Sequence, residues 1–337
     1  MYIFHRILHV IVEILFFLFL VFERRGQMRI YRIKNTPLEI SRISYGCMRM
    51  GKLEQKTAEA VVKTALESEI NFFDHADIYA GGRSESLFGE VLLNNKGLRE
   101  KILIQTKCGI RFAGNPDPSS PGRYDFSYEH IMESVDGSLK RLHTDHVDVL
   151  LLHRPDALVE PEEVAKAFDE LESAGKVRWF GVSNHTENQI RLLRKSVRQP
   201  LIINQVELSL THSHLINEGI LFNRTGGAAT PASGTLDYCR LEDILVQAWT
   251  PMGGGKILDR NSNPQALDLI TRLASVKGTT PEAIMIAWLL HHPAGIQPII
   301  GTTTPERVRA CCEGDGIELT REEWYALFIA GRGGPLP

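Results

Sequence analysis

The chain has 337 residues, 43% hydrophobic and 23% charged, which suits a folded globular protein and excludes a largely disordered one. With 38 basic and 41 acidic residues the net charge is −3, so there is no basic footprint and no nucleic-acid partner is expected. Cys47, Cys108, Cys239, Cys311 and Cys312 form no CxxC and no regular spacing, which argues against a disulfide framework and fits a reducing compartment, the cytoplasm.

The apolar run Ile7 to Phe22 comes first, broken by His9 and Glu13 and followed by Glu23-Arg24-Arg25. A spanning helix needs about 20 apolar residues, and a secretory signal wants a basic start and a small-residue cleavage site. Residues 1–27 are therefore read as a hydrophobic extension upstream of the functional protein, with Met28 as its start and 28–337 as one domain. A membrane anchor through residues 7–22, with Arg24 and Arg25 on the cytoplasmic side, and a cleaved signal are the other two readings.

Arg29 to Ile40 alternates around Asn35-Thr36-Pro37, which predicts a hairpin. Eight strands follow, at 42–46, 71–74, 102–107, 147–152, 177–182, 201–205, 244–249 and 297–301. Helices are expected between them at 57–69, 84–94, 127–142, 161–174, 186–196, 236–241 and 264–291. Two more follow the last strand, at 305–313 and 321–330. Thr280-Pro281 and Thr304-Pro305 place a capping threonine before a proline in the first turn. Thr186-x-x-Gln189 and Thr320-x-x-Glu323 read as capping boxes. Eight strand–helix repeats with short links predict a closed (β/α)8 TIM barrel, with the hairpin before it and a helix at the C-terminus. The doubly wound sheet is the alternative, and no GxGxxG follows the first strand to support it.

In such a barrel the chemistry lies at the carboxyl ends of the strands. Asp74 closes the second strand and Lys107 the third, so the pair is expected to meet inside the mouth. Tyr79 follows Asp74 by five residues, and His153 closes the fourth strand. An ammonium beside the phenol would lower its pKa from near 10 and make Tyr79 a proton donor. His153 can hydrogen-bond a substrate oxygen there. Asp74–Lys107 as a purely structural ion pair remains an alternative, as do a satisfied strand-end His153 and a rim Tyr79. His212-x-His214 and His291-His292 lack the carboxylates or thiols to complete a metal site, so no metal is expected.

The stretches DHADIY, TKCG, LLHRPD, GVSNH, NQVE, AWTPMGGG and GTTTPERV, in this order, resemble the aldo-keto reductase family, and most of all its bacterial oxidoreductase branch. The resemblance covers Arg29 to the C-terminus. It implies reduction of an aldehyde or ketone by hydride from NADP(H), with a small-molecule carbonyl as partner. Tyr79 would be the general acid, Lys107 and Asp74 its tuning pair, and His153 the group that orients the carbonyl. Ser183, Asn184 and Gln205 would hold the nicotinamide carboxamide, Trp249 would stack on the ring, and Gly46 would border it. Thr250, Pro251, Met252 and Gly253 would follow the pyrophosphate. Thr302 and Arg307 would meet the adenosine 2′-phosphate at a helix start.

The family often has a lysine near 301 or 304 and an acidic residue and an asparagine after the arginine. Here Gly301, Thr304, Ala310 and Cys311 stand in those places. Preference for NADPH then rests on Arg307 and nearby hydroxyls, with NAD as the other cofactor. A nicotinamide-nucleotide-binding regulatory subunit, tethered through residues 1–27, and an unrelated barrel lyase or isomerase are the competing functions. Substrate walls are expected from 110–124 and 211–234, with Phe112, Tyr124, Phe126 and Phe222 lending apolar surface.

Overall fold

The computed structural model describes residues 28–221 and 234–337. The extension 1–27 and residues 222–233, including Phe222, lie outside the described residues. No helix among the described residues is long and apolar enough to cross a membrane.

Strands β1 (Ile30–Arg32) and β2 (Glu39–Ser41) form the expected antiparallel hairpin. Then come β3 (Ser44–Gly46), β4 (Phe72–Asp74) and β5 (Leu103–Cys108). A short antiparallel ribbon, β6 (Ile110–Arg111) with β7 (Arg123–Tyr124), occupies the loop read from sequence as irregular. The rest are β8 (Val147–Leu152), β9 (Val177–Ser183), β10 (Leu201–Glu207), β11 (Leu245–Trp249) and β12 (Gln297–Ile300). In the order β3, β4, β5, β8, β9, β10, β11, β12 and back to β3, parallel pairing closes an eight-stranded barrel. The eight predicted strands are these eight, within a residue or two at their ends.

The helices are α1 (Gln55–Glu67), α2 (Arg83–Asn94), α3 (Tyr128–Leu142), α4 (Pro161–Ser173), α5 (Glu187–Leu193), α6 (His214–Leu221) and α7 (Thr235–Leu241). After them come α8 (Pro264–Lys277), α9 (Pro281–His291), α10 (Pro305–Cys312) and the C-terminal α11 (Arg321–Arg332). Both predicted capping boxes form, Thr186 with Gln189 and Thr320 with Glu323. The single helix expected over 264–291 is two. Gly278 takes the left-handed conformation (φ 62°) that ends α8, and Thr280 accepts from the Ala283 amide to start α9. Helix α6 lies inside a stretch read as loop.

The hairpin is the floor of the barrel. Ile33, Leu38 and Ile40 pack with Phe72, Val149, Leu151, Ile203 and Leu245, apolar inward residues of the strands. Each such side chain contributes about 1.5–3 kcal/mol on burial. At the same end Asp148 is fully buried and accepts from Arg99 Nη2, Arg178 Nη1 and the Ile104 amide, each at 2.9 Å. Asp148→Ala leaves the Ile104 amide without its acceptor and takes the shared carboxylate from Arg99 and Arg178, Arg99 keeping the Thr144, Ile102 and His146 oxygens. It is expected to cost about 3 kcal/mol in urea unfolding with kcat unchanged, because the floor lies away from the mouth.

Candidate functional site

Inward side chains change character along each strand. β5 turns Leu103, Gln105 and Lys107 inward, β4 Phe72 and Asp74, and β11 Leu245 and Gln247. The period of two puts apolar groups on the floor and polar groups above them. Asp74 and Lys107 are 3% and 1% exposed, so each must be paired to remain charged there.

They are paired with each other. Lys107 Nζ lies 2.7 and 2.9 Å from the two Asp74 carboxylate oxygens. It also donates to the His75 carbonyl at 2.7 Å and to Tyr79 Oη at 3.1 Å. An ammonium has three protons, and these three acceptors use them all. Because Lys107 donates into a lone pair of Oη, the phenol's own proton must point away from it, toward the cavity.

The chain delivers Tyr79 through a tight turn. The Tyr79 amide donates to the Ala76 carbonyl, and Ala80, Gly81 and Gly82 all have positive φ (51°, 64° and 89°) before α2 begins. A side chain at Gly82 would also put its Cβ 2.8 Å from Arg141 Cδ. Glycine is favoured there by the backbone φ, and a side chain would also displace the end of Arg141.

His153 follows β8, held by its amide to the Cys108 carbonyl at 2.9 Å. Its ring meets Tyr79 edge-on, centroids 5.9 Å apart. Burial, then the Lys107 and Arg154 charges, hold its pKa well below the usual 6.5, so it is neutral at pH 7 and keeps one ring N–H. Tyr79 departs from expectation. Burial pushes its pKa above 10, and Lys107 lowers it only in part, opposed by Asp74. Desolvating a phenolate outweighs one ammonium that a carboxylate already neutralises. The Lys107 contribution has the expected sign; the net direction does not.

Above these groups opens a cavity of about 450 Å³. Asp74, Tyr79, His153, Gly46, Ser183, Asn184, Gln205, Trp249, Thr250, Pro251, Met252, Thr302 and Arg307 line it. Lys107 stands behind Asp74 and Tyr79, and Gly254 and Gly255 line the wall where Gly253 was expected. Asn184 and Thr250 hold left-handed φ values of 61° and 54°, costly for a β-branched residue such as Thr250. Asn184 Nδ2 donates to Ser183 Oγ (2.9 Å) and the His153 carbonyl (3.3 Å), while Trp249 Nε1 donates to Asn184 Oδ1 at 3.0 Å. Asn184 thus ties three strand ends together.

Of the expected substrate walls, Ile110 lines the cavity. Phe126 does not contribute; it is 1% exposed, packed under Gly109 and stacked on His185. Phe112 and Tyr124 are exposed, and Phe112 lines a separate recess of about 220 Å³. Sequence reasoning missed Arg154 and Glu282 on the cavity wall. The Arg154 guanidinium lies 5.6 Å from the Trp249 ring centre, and its place directly after His153 was the available signal. Glu282, in the first turn of α9, gave none.

The family model described as Aldo/keto reductase family matches residues 42–328. The uncharacterized oxidoreductase YcsN of Bacillus subtilis (strain 168) is 38% identical over 307 residues, covering 89% of this chain and 97% of its own. A 6-dehydroglucose reductase of Agrobacterium fabrum is 36% identical over 300 residues, covering 88% and 96%. Among solved structures, the glycerol dehydrogenase of Gluconobacter oxydans superposes with a TM-score of 0.73 at 23% identity, covering 91% of this chain and 95% of that one. That last likeness is one of fold. With a parallel barrel, a strand-end Asp–Lys–Tyr–His set and relatives matched over nearly their full length, this chain belongs to the aldo/keto reductase family of oxidoreductases.

Proposed function

We propose that this protein is an NADPH-dependent reductase of aldehydes or ketones in which Tyr79 protonates the carbonyl oxygen. One observation carries the reading: Lys107 Nζ is 3.1 Å from Tyr79 Oη and 2.7 Å from Asp74, with the phenol on the wall of a deep cavity. The reduced nicotinamide, when bound, supplies the hydride. Tyr79 then offers its proton to the oxygen on which negative charge develops. Lys107 stabilises the phenolate left behind, and Asp74 keeps Lys107 charged. Neutral His153 donates its remaining N–H to the same oxygen and so orients the carbonyl.

The residues present fit a nicotinamide dinucleotide. Gln205 commits Nε2 to Asp74 and Gln247, at 2.9 and 3.0 Å, and its Oε1 has no protein partner among the described residues. That oxygen suits the N–H of a carboxamide. Gly46 keeps the wall open, since a Cβ there would come 2.8 Å from Ile299 Cγ2. Arg307, in the first turn of α10, is exposed and has no carboxylate partner among the described residues. With Thr302 it offers charge and N–H groups to a 2′-phosphate.

Arg307→Ala is expected to weaken NADPH binding by about tenfold to a hundredfold, since a charge-assisted hydrogen bond contributes about 1.5–3 kcal/mol. NADH binding should change little. Fluorescence titration with both nucleotides measures it, and equal losses for the two would remove Arg307 from the phosphate site. The function itself is tested by NADPH oxidation over a panel of aldehydes, ketones and oxidised sugars. Sugars belong on it because one relative is named a 6-dehydroglucose reductase. NADPH binding without turnover on any of them would overturn the reading as a reductase of such carbonyls, and no binding would remove NADPH as its cofactor.

A further inference from the structure

The barrel interior holds a continuous chain of side-chain amides from floor to mouth. Gln297 Nε2 donates to the Ser41 carbonyl, at the end of the floor hairpin, at 2.7 Å. Gln247 Nε2 donates to Gln297 Oε1 at 2.8 Å. Gln105 and Gln205 both donate to Gln247 Oε1, at 2.9 and 3.0 Å. Both also donate to Asp74 Oδ1, at 2.5 and 2.9 Å. All four glutamines are buried, at 0–2% exposure. Strand register places them together: Asp74 lies beside Gln105, Gln205 beside Gln247, and Gln247 beside Gln297.

The direction of the chain is forced. A backbone carbonyl can only accept, so Gln297 must turn its NH2 to Ser41 and its oxygen to Gln247. Gln247 must then turn its NH2 to Gln297 and its oxygen to Gln105 and Gln205. Those two are left with both N–H groups bridging Gln247 Oε1 and the Asp74 carboxylate. Asp74 Oδ1 therefore accepts from two amides as well as from Lys107. Those donors fix where the carboxylate sits and how it is turned. An amide turned the other way would set a carbonyl oxygen against it.

We infer that Gln247 and Gln297 are positioning residues for catalysis. Anchored on the Ser41 carbonyl, they fix the amide orientation of Gln105 and Gln205. They thereby hold the Asp74 carboxylate in the place that keeps Lys107 against Tyr79. The inference rests on the acid–base reading of Tyr79 given above.

The test uses two substitutions at Gln247, which does not line the cavity. The full chain is assayed with NADPH and 4-nitrobenzaldehyde as the probe carbonyl. Gln247→Met keeps the volume and removes the relay. It is expected to lower kcat about tenfold or more, with the NADPH dissociation constant within about threefold of native. Gln247→Glu discriminates further. When protonated, the new carboxyl copies the amide, its carbonyl accepting from Gln105 and Gln205 and its O–H donating to Gln297. When ionised it turns an acceptor on Gln297 Oε1 and adds a negative charge near Asp74.

Between about pH 5.5 and 9, kcat of Gln247→Glu should therefore rise toward native as pH falls. One ionisation, absent from native and from Gln247→Met, should govern that rise. Its melting temperature supplies a readout besides activity. The folded pKa of the new carboxyl is raised by burial, so stability is full below the unfolded value and is lost as pH rises through the folded one. Native kcat in Gln247→Met, or a Gln247→Glu pH profile that follows native, overturns the inference. If Tyr79→Phe is inactive in the same assay, such a result removes the relay alone; if Tyr79→Phe is active, the acid–base reading goes with it. Should Gln247→Met fail to fold, the pH dependence of Gln247→Glu decides.

Discussion

Tyr79→Phe is expected to bind NADPH within about twofold of native while kcat falls by about 10²–10⁴, the usual range for loss of a positioned general acid. The substitution removes one oxygen and keeps the ring, so the edge-on packing against His153 at 5.9 Å survives. Lys107 loses one of three acceptors and keeps Asp74 and the His75 carbonyl. Gln205 and Arg307, the groups proposed to meet the cofactor, are untouched. What disappears is the proton aimed into the cavity. The raised pKa sets a second expectation. Reduction needs the protonated phenol, and burial holds that form past pH 10, so native kcat for reduction should stay level from neutral pH to beyond that value. Oxidation of the alcohol needs the phenolate and should rise with pH over the same range. Stopped-flow and steady-state assays in both directions measure these. Turnover by Tyr79→Phe within tenfold of native would take the proton transfer away from this residue.

Much of the architecture was legible because local signals agreed with one another. Thr–Pro pairs, capping boxes and eight apolar runs each named an element boundary, and parallel closure followed from their number. The catalytic candidates were legible because Asp74, Lys107 and His153 interrupt or end apolar strands, where a polar group demands a reason. The same logic did not expose Gln105, Gln247 and Gln297. Each alone is an ordinary polar residue in a strand, and only cross-strand register joins them. Phe126 was misplaced because an aromatic near a loop gives no sign of the face it turns to; Gly109, whose Cβ would fall 2.2 Å from the Phe126 ring, leaves it the room to turn inward. The net pKa of Tyr79 was out of reach for a related reason. Spacing reveals the charged neighbour, whereas the depth of burial that outweighs it belongs to the folded molecule.

Lys107→Met and its combination with Asp74→Asn separate a catalytic ion pair from a structural one. The single substitution strands a carboxylate at 3% exposure with two amides and no counter-ion. Breaking a buried pair in this way costs about 3–5 kcal/mol, so the melting temperature should fall by several degrees. Turnover should fall as well, because Tyr79 loses the ammonium that offsets the cost of its phenolate and keeps Asp74, which raises it. Adding Asp74→Asn removes the stranded charge. The double variant is neutral, similar in volume, and able to use the glutamine amides, so much of the lost stability should return. Turnover should not return with it; kcat is expected to stay about a hundredfold or more below native, since no cation faces Oη. Thermal melts and NADPH-oxidation kinetics on the two singles and the double give the full cycle. If turnover recovers in step with stability, the pair only holds the barrel together, and acid catalysis by Tyr79 must do without it.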